Sequence, residues 1–197
     1  MKKKHVIAAF DFDGTITTKD TLFDFIKFYV GGKNLFKGLI FLSPILVLYK
    51  LGFTTNDVAK QKLFAYFFKN RSIEVFNKAS EDYIKRIQDI IRPEIINKIK
   101  WHQSENHTVV IISASISNWI KPWAKTMNIE KVLATEIATI DDLIVGTFST
   151  ANCYGQEKVN RLLVEFPNRA EYILYAYGDS AGDKELLALS DHPTFVS

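Results

Sequence analysis

Short apolar runs of strand length alternate along this chain with longer segments of helical period. Residues 5–10 are apolar, partly β-branched and without the in-out alternation of a half-exposed strand. That pattern belongs to a parallel strand buried on both faces. Residues 107–113 and 172–177 read the same way, with further strands expected at 132–136 and 194–196. Helical stretches at 93–101, 117–125 and 157–166 separate them. This order predicts an α/β fold, a parallel sheet flanked by helices. Residues 136–140 and 143–148 flank Asp141-Asp142 and predict a β-hairpin.

Between the first and second strands the pattern changes. Residues 20–93 contain no strong strand. A helix starts near Asp20 and stops at Gly31-Gly32, and a second covers 56–69. A longer amphipathic stretch places Ile73, Phe76, Tyr83, Ile84, Ile87, Ile90 and Ile91 largely at helical intervals. The segment 39–48 is apolar throughout but carries Pro44. It is roughly half to two-thirds the length of a membrane span. The expectation is a buried helix, with a lipid-facing patch as the alternative. The whole region reads as a helical insert.

Composition narrows the class. The chain has 197 residues, 47% hydrophobic and 13% aromatic, which suits a core of substantial size and excludes a disordered chain. A formal charge of +3 implies no diffuse nucleic-acid surface. Cys153, the single cysteine, has no partner for an internal disulfide, which fits a reducing compartment. The lysines of residues 1–4 followed by an apolar run imitate a secretory signal. Asp11 and Asp13 interrupt it, and no small-residue cleavage site follows. The expectation is a cytoplasmic protein, with a peripheral position at the inner face of the membrane as the alternative.

The chemistry sits where apolar runs end. Asp11 and Asp13 lie two apart and share one side if the strand continues through them. Gly14 permits a sharp turn, and Thr15 offers a hydroxyl to an anion. Asp179 and Asp183 follow the strand at 172–177. Carboxylates gathered at strand ends suit a hard cation such as Mg²⁺, with Asp11, Asp13, Asp179 and Asp183 as the expected metal set. Asp11 is the expected nucleophile and Asp13 the acid and base. Ser113, with the backbone of Ala114, is expected to hold a phosphate oxygen, and Ser115 and Ser117 read as helix caps. Lys158 sits in the first turn of its helix, where the dipole disfavours it, and is expected to offset carboxylate and phosphate charge. None of the four histidines makes a metal motif, and Cys153 reads as packing.

Taken together, these motifs resemble the haloacid dehalogenase superfamily, in its phosphoserine-phosphatase-like branch with a helical cap. Asp11-Phe12-Asp13-Gly14-Thr15 matches the first motif, Ser113 the second, Lys158 the third and Gly178-Asp179-Ser180-Ala181-Gly182-Asp183 the fourth. The resemblance implies a Rossmann-like catalytic core at 1–16 and 93–197, an all-helical cap at 17–92, Mg²⁺ dependence and an aspartyl-phosphate intermediate. It also implies that the hairpin at Asp141-Asp142 belongs to the core. Asp20 stands where phosphoserine phosphatases usually carry a glutamate near the substrate amine, Ala114 where they carry glycine, and Gly182 where they carry asparagine. No arginine matches their substrate-carboxylate partner; Arg71, Arg86 and Arg92 read as solvated. The expected function is phosphomonoester hydrolysis of a small phosphorylated metabolite. The apolar cap and residues 152–155 also resemble phosphatidylglycerophosphatase C-like members, so a lipid phosphate is the alternative substrate. A non-catalytic phosphate-binding regulator is the remaining reading.

Overall fold

A computed structural model describes residues 4–197; of the opening lysines, those within residues 1–3 lie outside the described residues. Five strands form one parallel sheet: β1 (His5–Phe10), β2 (Thr108–Ile116), β3 (Lys131–Thr135), β6 (Tyr172–Gly178) and β7 (His192–Phe195), in the order β3-β2-β1-β6-β7. The apolar run of β1 serves both faces. Ala8 and Phe10 enter one core cluster, Ile7 and Ala9 the other, as side chains of period two must. β1 lies between β2 and β6, so the strand order reverses there. In open α/β sheets the carboxyl-end crevice at such a reversal is where ligands bind.

Five helices follow β1 as an inserted cap: α1 (Thr21–Val30), α2 (Gly32–Lys50), α3 (Asn56–Phe68), α4 (Ile73–Asp82) and α5 (Ile84–Gln88). The amphipathic stretch is broken at Tyr83 into the last two. The chain then returns through α6 (Pro93–Ser104) to the sheet, which α7 (Ser117–Thr126), α8 (Gln156–Glu165) and α9 (Lys184–Leu189) also cover. The two crossings between core and cap run side by side. Thr17 pairs antiparallel with Ile91, Thr18 N–H donates to Ile90 O at 2.7 Å, and Arg92 N–H to Ile16 O at 2.8 Å. An aromatic cluster docks the cap: Phe25 of α1 stacks on Trp119 of α7 with ring centroids 4.6 Å apart, edge-on to Phe76 and Tyr83.

One expectation changes and one holds. The segment at 39–48 is not a buried helix. α2 runs unbroken through Pro44, and only Gly38 and Leu42 are buried. Both of its faces are apolar, and the cap covers one of them. The hairpin forms as β4 (Ile137–Ile140) and β5 (Leu143–Phe148), its turn made by Asp141 and Asp142 at φ 48° and 61°, the left-handed pair a two-residue hairpin needs. It stands outside the parallel sheet. Asn70 N–H donates to Ile144 O at 2.8 Å, Ile144 N–H to Arg71 O at 2.9 Å, and β5 packs on α3. The hairpin therefore fastens core chain to cap.

Candidate active site

The carboxyl ends of β1 and β6 bring three of the four predicted acids together, Asp11, Asp179 and Asp183, and leave Asp13 outside the cluster. Asp11 follows β1, its N–H bonded to Tyr177 O at 2.9 Å. Gly14 then turns at φ 77°, where a Cβ would collide with the Asp179 carboxylate; only glycine permits both the turn and the approach. Carboxylate oxygens of Asp11, Asp179 and Asp183 lie within 4.8 Å of one another. From α8, the buried Lys158 Nζ donates to Asp11 Oδ1 and Asp183 Oδ1, both at 2.5 Å. Thr15 donates its hydroxyl to Asp179 Oδ1 at 3.0 Å, which orients that acid. Asp183 also accepts from the Ser180 hydroxyl at 2.9 Å and from the backbone of Asp179 and Ser180. Most of its acceptor capacity is committed to holding the loop.

Asp13 faces the cap. Thr21 donates to its Oδ1 from N–H at 3.0 Å and from the hydroxyl at 2.6 Å, and Ser115 donates to its Oδ2. Ser115 is therefore a partner of Asp13, not the helix cap expected. β2 extends past Ser113 through Ser115, so both serines share one strand. Ser117 donates to Glu136 at 2.5 Å and is not a cap either. Ser113 is buried at the site, its hydroxyl accepting from Ser115 N–H at 3.0 Å. Asp20 accepts from Leu22 and Phe23 N–H as the cap of α1 while lining the same cavity.

Burial shapes the electrostatics. It lifts Asp11 to about 7, against the lowering pull of Lys158. It lifts Asp13 to about 6, with Asp20 adding to the rise and the Ser115 and Thr21 bonds opposing it. Asp179 is raised by burial and by Asp183, while Thr15 opposes. Burial works against the Lys158 charge, but Asp11 and Asp183 outweigh it and hold the ammonium above its usual range. Crowded carboxylates with raised proton affinity, all hard oxygen donors, fit a divalent cation.

One cation was missed. Lys60 of α3 is half-buried at the cavity, donates to Ala114 O at 2.5 Å, and is lowered by desolvation against the raising pull of Asp13 and Asp20. Its signal was available: Asn56, Lys60, Leu63, Phe64 and Phe67 fall on one helical face, so the lysine occupies the inward phase. Asn56 joins it at the cavity and accepts from Asn152 Nδ2 at 3.0 Å, a second cap-to-core contact. Arg71, Arg86 and Arg92 do not line this cavity. Arg86 and Arg92 are tied rather than solvated. Arg86 bonds both oxygens of Asp24 at 3.0 and 3.1 Å, and Arg92 Nε donates to Gly14 O at 3.0 Å. Cys153 is buried, and that burial pushes its thiol up to about 11.

Known proteins share this fold. A family model described as haloacid dehalogenase-like hydrolase matches residues 8–188. Protein CicA of Caulobacter vibrioides is 28% identical over 97% of this chain and 86% of its own length. A Bordetella pertussis protein of unknown function superposes with a TM-score of 0.82 at 19% identity, over 97% of this chain and 89% of that one. A phospho-aspartyl intermediate analogue of phosphoserine phosphatase superposes with a TM-score of 0.64 at 19% identity, over 95% and 84%.

Proposed function

Because this chain belongs to the haloacid dehalogenase-like hydrolases, we propose that it hydrolyses phosphomonoesters, with Mg²⁺, through a phosphorylated Asp11. One observation carries the reading: Lys158 bridges Asp11 and Asp183 beside Asp179, on the floor of a cavity of ≈ 370 Å³. Asp11 and Asp179 would hold Mg²⁺, with Asp13 and Asp183 beside them, and the ion would supply positive charge against the phosphate.

The remaining work falls to this chain's own residues. Asp11 attacks phosphorus in line, and its oxygen–phosphorus bond forms as the bond to the alcohol breaks. Asp13 gives its proton to the departing oxygen; a value near 6 keeps a protonated fraction available around neutral pH. Water then loses a proton to Asp13 and attacks phosphorus. The Asp11–phosphorus bond breaks and inorganic phosphate leaves. Lys158 and Ser113 offset charge on the phosphoryl oxygens. The cap, assigned residues 17–92 against a core of 1–16 and 93–197, excludes water when closed. A cytoplasmic setting keeps a lone thiol such as Cys153 reduced.

The proposed substrate is a small phosphorylated metabolite, whose polar groups Asp20, Asn56 and Lys60 would meet. A second reading, an amphiphilic or lipid phosphate, is favoured by the apolar lining residues Leu22, Phe23, Leu46 and Leu63. Phosphate release from an aryl phosphate should require Mg²⁺, and Asp11→Asn should lower kcat by ~10⁴-fold or more. Full activity in that variant overturns the nucleophile. Phosphate binding without any release assigns the chain to the non-catalytic reading.

A further inference from the structure

We propose that the outward face of α2 docks the cap on an anionic lipid bilayer, from which the cavity behind it takes an amphiphilic phosphomonoester. The substrate half of this rests on the phosphatase reading above; the docking half does not.

The inward side of α2 packs on the cap. Gly38 lies so close to α3 that a Cβ there would collide with the Phe67 ring. The outward side carries Phe36, Ile40, Phe41, Val47 and Leu48 at 43–70% exposure, and continues into Leu51 at 64% and Phe53 at 77%. Contiguous exposed hydrocarbon on this scale marks an interaction surface.

Three observations select lipid. The helix contains no Asp or Glu, and its charges are Lys33, Lys37 and Lys50, all exposed. Apolar side chains flanked by lysines match an anionic headgroup layer, whereas a second copy would bring the same lysines against one another. Next, Pro44 removes the N–H that would pair with Ile40 O, and Ser43 Oγ donates to that carbonyl at 2.8 Å. The freed acceptor is satisfied within the helix, as surroundings without water require. Finally, Leu46 and Tyr49 of this same helix line the cavity. One helix separates the outer surface from the phosphate site.

α2 is, among the described residues, the one helix long and apolar enough to cross a bilayer. Its ends turn back into α1 and α3 and its inner face packs there, so it lies along the interface.

Flotation of the full chain with phosphatidylglycerol–phosphatidylcholine vesicles, against phosphatidylcholine alone, tests the docking. The protein should float with the anionic vesicles. Combining Phe41→Ser, Leu48→Ser and Phe53→Ser should cut the bound fraction at least tenfold. Lys33→Gln with Lys37→Gln, or added salt, should weaken it less. Both variants should keep wild-type turnover of a soluble aryl phosphate, which also reports that they fold. Absence of flotation, or flotation that the triple variant retains, overturns the proposal. So does a concentration-dependent dimer lost in that variant while vesicles are ignored. Flotation of Asp11→Asn at the wild-type level supports docking independently of chemistry. Flotation by a wild-type protein that releases no phosphate from any ester keeps the docking half and defeats only the phosphatase reading.

Discussion

The cavity floor and the outer face of α2 depart from ordinary packing in opposite directions. At the floor, Lys158, Asp11 and Asp183 are charged groups almost withdrawn from solvent. On α2, large aromatic and aliphatic side chains stand in solvent. Desolvating an ion costs several kcal/mol even after relaxation, and leaving a large apolar side chain exposed forgoes about 1.5–3 kcal/mol of burial. The floor answers its cost internally, because each charge has a partner at hydrogen-bond distance. The outer face of α2 has little such answer: Phe41 stacks on Tyr66 of α3 with ring centroids 5.3 Å apart, and both rings remain exposed. A region that satisfies its own irregularity is organised for chemistry, and one that leaves it open is organised for an encounter.

The floor should prove the more fragile of the two. Lys158→Met leaves Asp11 and Asp183 buried without their cation, so it should destabilise the fold by about 3–5 kcal/mol and abolish turnover. Chemical denaturation with and without Mg²⁺ measures both the loss and its recovery. A variant of wild-type stability would show that the acids do not depend on the lysine.

Lys60→Met tests whether the floor's electrostatics extend into the cap. Losing one charge-assisted bond of about 1.5–3 kcal/mol should raise KM by ~10-fold or more for a substrate with an anionic leaving group. The change should be smaller for a neutral one. Equal changes for both would assign Lys60 to holding Ala114 O alone.

The outer face of α2 should be nearly silent in stability. Phe41→Ser, at a position 70% exposed, should shift unfolding by no more than about 0.5 kcal/mol. Phe25→Ala in the aromatic cluster should cost about 3–5 kcal/mol. A large loss at Phe41 would mean that its stacking on Tyr66 carries more of the fold than its exposure suggests.

Much of this molecule was readable before any coordinates, because its core obeys simple periods. The run ending at Phe10 had to be a doubly buried strand, with Asp11 at its carboxyl end; the strand stops there, so Asp13 does not share Asp11's side but turns to Thr21 and Ser115. What escaped reading depended on where periods stop. Ending the second strand at Ser113 hid Ser115, which the same two-residue repeat carries toward Asp13. Lys60 went unread, although its helical phase, shared with Asn56, Leu63, Phe64 and Phe67, points inward. The exposure of α2 had no local signal, since a helix apolar all round does not say which side its neighbours cover. The tie between Asn70 and Ile144 joins residues far apart in sequence, and no short-range pattern announces it.

The paired crossings at Thr17 and Ile91 make the cap a lever with both legs on one axle. The hydrogen bonds between the legs couple them, so a swing of one carries the other and favours a hinge rotation over a slide. The hairpin is one latch on that rotation, since a full swing must either bend with it or part Ile144 from Asn70 and Arg71, beside parting Phe25 from Trp119.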